Sequence, residues 1–165
     1  EHAVGPVAYR NTGERGLVTS EIRARQLPEV LAFEPDLVVA ACGGNDVMRR
    51  SFDREAYEQE LDAVVAPLAA GGALVVTFGL FDLSQTGFVP DAMRAGLQGR
   101  LRQQSEVGAA VSSRHGGVHV DFGHHPAAAD PGIWSADAIH PNRRGQAIVL
   151  AELVRALGAH LDAAR

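Results

Sequence analysis

The sequence predicts a single three-layer α/β domain in which a parallel sheet lies between helices. Two observations carry that expectation. Extended and helical segments alternate along the chain. Two of the extended segments are apolar on both sides of the pleat, as strands covered by helices on both faces are. The 165 residues, read as one domain over 1–165, are enough to bury about two-thirds of the unfolded surface.

Taken in order, Val7 to Arg10 is a short extended candidate that runs into the turn-rich stretch from Asn11 to Gly16. A helix is expected from Thr19 to about Phe33, with Ile22, Leu27, Val30 and Leu31 on one side, Thr19 or Ser20 as its cap and a kink at Pro28. Leu37 to Cys42 is the first doubly apolar strand, bounded by Pro35-Asp36 and Gly43-Gly44. Asp53 to Ala70 spaces Tyr57, Leu61, Val64 and Leu68 as one helical face and stops at Gly71-Gly72. Ala73 to Leu80 is the second buried strand. Pro90 opens a long helix to about Arg114 with Met93, Leu97 and Leu101 inward, and Val118 to Phe122 is a further strand. After an irregular stretch, Asn142 caps a last helix whose stripe is Ala147, Leu150, Ala151, Val154 and Leu157.

Composition narrows the function. Acidic residues outnumber basic ones 20 to 15, for a formal charge of −5, and no basic block occurs, which disfavours a nucleic-acid partner. All the basic residues are arginine, so lysine chemistry such as a Schiff base or a P-loop is absent. Cys42 is the single cysteine and cannot form an internal disulfide. No apolar run reaches the ~20 residues of a membrane span. The chain opens Glu1-His2-Ala3, without Met and without an apolar leader, so this end does not identify a compartment; a cytoplasmic setting is slightly favoured over secretion.

In a parallel sheet, ligands sit beyond the carboxyl ends of the strands. Three segments lie there. Gly43-Gly44-Asn45-Asp46 allows a sharp turn and gives Asn45 an amide donor to aim into the crevice, although glycine, asparagine and aspartate also make ordinary turns. Asp137 and His140 are three residues apart in Trp134-Ser135-Ala136-Asp137-Ala138-Ile139-His140-Pro141. At that spacing the carboxylate can accept from the imidazole, select its tautomer and leave the other nitrogen as a base. The bland reading is a surface histidine beside an aspartate. Gly16 can present a backbone N–H to an anion with no side chain in the way.

Together these segments resemble the SGNH, or GDSL-type, serine hydrolase family over about Val7 to Leu157. The entry Pro35-Asp36-Leu37-Val38-Val39 is similar as well. The resemblance implies a flavodoxin-like sheet and a Ser-His-Asp ester hydrolysis of the esterase, lipase or deacetylase type. It assigns Gly16 and Asn45 to the oxyanion hole, Asp137 to the acid and His140 to the base. It implies a small-molecule ester substrate, with no metal and no cofactor.

One part of the pattern is missing. The family's nucleophile lies in Gly-Asp-Ser after its first strand, and here no Gly-Asp-Ser occurs and no serine precedes Gly16. Gly-x-Ser-x-Gly is also absent. The strand that would carry the serine is central in the family's sheet, between the strands represented here by Val7–Arg10 and Leu37–Cys42. Its loss would leave ladder groups unpaired. The expectation is that a strand and its connection, roughly 20–40 residues, lie outside this sequence, and that these 165 residues alone fold poorly. The alternative is a non-catalytic relative that binds a ligand or partner. A nucleotide-binding module fits less well, because neither Gly-x-Gly-x-x-Gly nor a P-loop occurs.

Other chemistry-bearing residues have plainer expectations. Cys42 is a buried, inert thiol. His119, Asp121, His124 and His125 lack the spacing of a metal site. Phe81, Leu83 and Phe88 either line an acyl pocket or anchor a loop. Arg143-Arg144 are solvated charges in the first turn of the last helix rather than a steering pair. Asp46 braces the Gly-Gly-Asn turn.

Overall fold

The computed structural model describes residues 6–87, 89–163 and 165. Three parallel strands, β1 (Leu37–Ala40), β2 (Leu74–Gly79) and β3 (Val118–Asp121), lie side by side in that order. Leu37 pairs with Leu74 and Val76 with Val118, so one register runs across the sheet. Parallel neighbours need crossovers. These are α4 (Arg54–Ala70) between β1 and β2, and α5 (Asp91–Arg114) between β2 and β3. The helices α1 (Thr19–Arg25), α2 (Leu27–Ala32), α3 (Gly44–Met48) and α6 (Arg143–Ala163) complete the layers.

The alternating sides of the strands enter two separate apolar cores. Ala40 and Val75 join Tyr57, Leu61, Val64 and Val65 of α4 and Val107 and Val111 of α5. On the opposite side, Val76, Val118 and Val120 meet Phe81, Phe122 and Ile133, with Ile148, Val149, Leu153 and Leu157 of α6 laid over them. Each apolar layer excludes water from the sheet, the main favourable contribution to folding.

Asp53 caps α4 by accepting from the Ala56 N–H at 2.9 Å, and Gly72, at φ 95°, turns the chain after it. The expected helix from Thr19 to Phe33 is instead two helices meeting at Gln26. Pro28 has no N–H to continue the ladder and occupies the first turn of α2, where that donor is not needed. Neither Thr19 nor Ser20 caps α1. Val18 holds the N-cap position, and Glu21 accepts from its N–H at 2.9 Å. Leu31 is exposed, as is Met93 at the start of α5, so neither contributes to the core as the spacing suggested.

Val7 to Arg10 forms no strand. Its ladder groups have no neighbouring strand among the described residues, and Val7 and Tyr9 are exposed. Arg10 is held instead by Glu29 at 3.1 Å and lies over the Phe33 ring. The outer edge of β1 likewise has no partner strand among the described residues. Leu37 and Val39 remain 47% and 49% exposed, although the sequence suggested a strand covered on both faces. In α6 the stripe turns over: of the five residues expected inward, only Leu157 packs on the sheet, while Leu150 and Val154 are 59% and 61% exposed. The helix is apolar on two sides, and the sheet covers the Ile148 side.

Behind the end of β1, Gly43 sits at φ 96°. A Cβ there would come within 2.7 Å of the Tyr57 hydroxyl and 2.8 Å of Gln104 Cγ. Gln104 is fully buried and donates to the Phe78 carbonyl at 2.7 Å, joining α5 to β2. Gly43→Ala is therefore expected to lower stability by about 1–3 kcal/mol, read from urea unfolding. An unshifted midpoint would mean the turn can relax.

His119 on β3 is half-buried between the Thr77 hydroxyl, 2.8 Å from Nδ1, and Ser105, 3.0 Å from Nε2. Burial holds its pKa below the usual 6.5, although Asp121 pulls the other way. The folded state thus binds this proton less readily than the unfolded chain does. The resulting stability is complete above about pH 6.5 and declines as pH falls through the depressed value. Thermal midpoints from pH 7 to 5 are expected to fall in the wild type and to flatten in His119→Gln.

Candidate active site

Gly16, Asn45 and His140 come from three distant segments and line one open cavity of about 560 Å³, together with Gly13, Glu14 and Arg15. Each is placed by a different local device. Gly16 ends its loop at φ 83°, a conformation that strains any residue with a Cβ. Leu17, Val18 and Thr19 then turn into the protein and are buried.

Asn45 lies in the five-residue helix α3, started by the left-handed Gly43. The helix is too short to hold itself. Val47, fully buried beside Leu83, Val89, Leu97 and Leu101, anchors it, and Arg100 Nε donates to the Val47 carbonyl at 2.6 Å. The amide Nδ2 of Asn45 donates to the Leu17 carbonyl at 2.9 Å. An amide nitrogen carries two protons, so one remains for a ligand.

Asp46 fixes the same two segments from the next position. Its carboxylate accepts from the Thr19 N–H at 3.1 Å and from the Thr19 hydroxyl at 3.0 Å. Burial pushes its pKa above the usual carboxylate value, and the Thr19 hydrogen bonds only partly offset this. It therefore ties two segments together as well as stiffening its own turn. Chain order shows none of this, because Thr19 and Asp46 are distant in sequence.

The third segment is a loop closed on itself. Ser135 N–H donates to the His140 carbonyl at 2.8 Å and Trp134 bridges Pro141, which brings Asp137 back over His140. Asp137 Oδ2 is 2.7 Å from His140 Nδ1, and its Oδ1 accepts from the backbone N–H groups of His140 and Ile139, both at 3.0 Å. These backbone bonds, with the imidazole, hold the Asp137 carboxyl far below its usual pKa. The carboxylate is thus an acceptor for Nδ1–H, leaving Nε2 without a partner among the described residues.

Asn142 secures the loop to α6. Its side chain accepts from the Arg144 and Gly145 N–H groups and donates to the Gly132 and Trp134 carbonyls. The capping role was legible in sequence; the grip on the loop was not.

The remaining candidates lie elsewhere. No serine, threonine or cysteine is among the described residues that line the cavity. Cys42 is buried, and burial pushes its thiol up to about 12. Phe81 and Leu83 are core residues that support the Trp134 loop and α3, as loop anchors do; Phe88 lies outside the described residues. Arg144 is bound to Asp130 at 2.9 Å and is not a steering charge. His124 stays near Asp121 at 3.6 Å, while His119 lies within the sheet, and no group of three metal-ligating side chains forms among the described residues. No helix among them is long and apolar enough to cross a membrane.

The fold and the cavity define an α/β protein with a paired imidazole and amide donors at the carboxyl ends of its strands. The chain belongs to the GDSL-like lipase/acylhydrolase family, whose model matches residues 2–148. Among solved structures it is similar to TesA, at 26% identity and a TM-score of 0.69, covering 87% of this chain and 73% of that one. It is similar also to LAE5, an alpha/beta hydrolase enzyme from the metagenome of Lake Arreo, Spain, at 27% identity and 0.70, covering 87% and 69%. The fold is shared with Axe2, an acetylxylan esterase from Geobacillus stearothermophilus, at 21% identity and 0.70, covering 87% and 68%. No curated protein sequence matches the chain.

The clamp between the segments has a measurable consequence. Asp46→Ala is expected to lower stability by about 1–3 kcal/mol, leaving the buried Thr19 donors unsatisfied. Amide exchange at Leu17 to Thr19 is expected to speed up at the same time; equal exchange in both proteins would show that Asp46 does not hold this segment.

Proposed function

We propose that these residues form the oxyanion hole and the base of a serine ester hydrolase. The observation that carries this reading is the meeting of Gly16, Asn45 and His140 on one cavity wall, with Asp137 bound to the far side of the imidazole. Membership of the GDSL-like family supports it. So do the structures of Axe2 catalytic mutants, in which a serine or a histidine is replaced by alanine.

The nucleophilic serine belongs, on this reading, to a strand outside these residues that pairs with the free edge of β1. Leu37 and Val39, exposed beside that edge, and Leu150 and Val154 on the flank of α6 are the apolar surface such a strand would cover. Its hydroxyl attacks the ester carbonyl while Nε2 of His140 takes the proton, and Asp137 stabilises the imidazolium. The Gly16 N–H and the second amide proton of Asn45 meet the charge that develops on the carbonyl oxygen. His140 then protonates the departing alcohol. Water repeats the sequence on the acyl-enzyme and releases the acid. The substrate is a small ester, an acetylated sugar or a lipid.

A second reading, a ligand-binding relative without catalysis, draws on the lack of any hydroxyl or thiol in the cavity wall. Turnover separates the two. Full-length protein is expected to hydrolyse p-nitrophenyl acetate, whereas residues 1–165 alone are expected to give none. Asn45→Ala removes one donor and is expected to cost on the order of 3 kcal/mol, a hundredfold or more in kcat. His140→Ala is expected to abolish nearly all activity, and Asp137→Asn to lose on the order of a hundredfold or more through the wrong tautomer. Undiminished turnover in His140→Ala would remove the base from this scheme.

A further inference from the structure

The charges around the cavity are not balanced. Glu14, on its wall, is taken up by Arg25 at 2.6 Å. Asp137 is held by His140, and Asp46 is turned inward to Thr19. Each acid bordering the cavity therefore already has a partner within the protein. Arg15, on the same wall, is exposed and meets no carboxylate among the described residues. This lone positive charge stands in a chain whose formal charge is −5.

Arg15 immediately precedes Gly16. An ester whose carbonyl oxygen is held by the Gly16 N–H places its substituents within reach of a side chain starting one residue away. Guanidinium is suited to carboxylate and phosphate because its planar fork donates two parallel hydrogen bonds to their oxygens.

We propose that Arg15 is a specificity-determining residue that selects esters bearing a carboxylate or phosphate group. The inference rests on the ester-hydrolase reading above and adds the class of substrate. The cavity is open to solvent, so water and salt screen the contact and the preference is of modest size.

The test compares phenyl acetate with 3-acetoxybenzoate and 3-acetoxyphenyl phosphate, turned over by the full-length protein. At low salt, kcat/KM for at least one anionic ester is expected to exceed that for phenyl acetate by about two- to fivefold. The gap is expected to narrow at about 0.5 M NaCl. Arg15→Gln is expected to bring the ratio close to one, mainly by raising KM for the anionic ester, and Arg15→Lys to retain part of it. Preference for one anionic ester alone identifies carboxylate or phosphate as the group recognised. Equal kcat/KM for all three esters in the wild type, or a preference that survives Arg15→Gln, overturns the proposal. A different outcome, no turnover of any of the three or turnover that survives His140→Ala, defeats the hydrolase reading and this inference with it.

Discussion

Two neighbouring side chains hold the cavity together. Asn45 donates to the Leu17 carbonyl, and Asp46 accepts from the backbone and hydroxyl of Thr19. The Gly16 loop and the Asn45 helix are thereby fixed to one another by two consecutive residues, Asn45 and Asp46, which grip Leu17 and Thr19 on either side of Val18. On the proposed hydrolase reading this matters because donors that meet a developing oxyanion must already be in place, since reorganising them during the reaction would forfeit most of their benefit. The cost is a half-buried carboxylate whose pKa is raised by desolvation. Its hydrogen bonds to Thr19 make that burial tolerable.

The sheet supplies the base on which this clamp rests. Tyr57 of α4 and Gln104 of α5 crowd the left-handed Gly43, so the turn out of β1 is set from below by two different helices. The Asp137–His140 loop reaches the same cavity by another route. Trp134 packs against Phe81 at the end of β2, and Asn142 joins the loop to the start of α6. The Asn45 and His140 walls of the cavity are thus anchored in different apolar clusters around the sheet, and the Gly16 wall is tied to Asn45 and Asp46.

How far the sequence was legible varies with the range of the forces involved. Helix α4 and its Gly71-Gly72 stop followed from local pattern, since apolar spacing and glycine termination act within a turn or two. The α6 stripe did not. Ala147, Leu150, Ala151 and Val154 are spaced as a helical face quite as well as Ile148, Val149 and Leu153 are, and only contact with β2 and β3 chooses between them. Val7 to Arg10 had the composition of a strand, but a strand exists only through its neighbour's hydrogen bonds, and none of the described residues supplies them.

The sequence by itself determined the order of strands and crossovers, the positions of Gly16, Asn45, Asp137 and His140 after or between those elements, and the lack of a serine ahead of Gly16. These depend on local propensity and on identity, which the chain carries residue by residue. Only the tertiary structure decided that Gly16, Asn45 and His140 share one cavity, that Thr19 is a partner of Asp46 rather than a helix cap, and that Arg15 faces the site with no acid to match it among the described residues. Each of these is a contact between segments far apart in sequence. Its existence depends on the packing of the helices against the sheet, and no short stretch of residues encodes that.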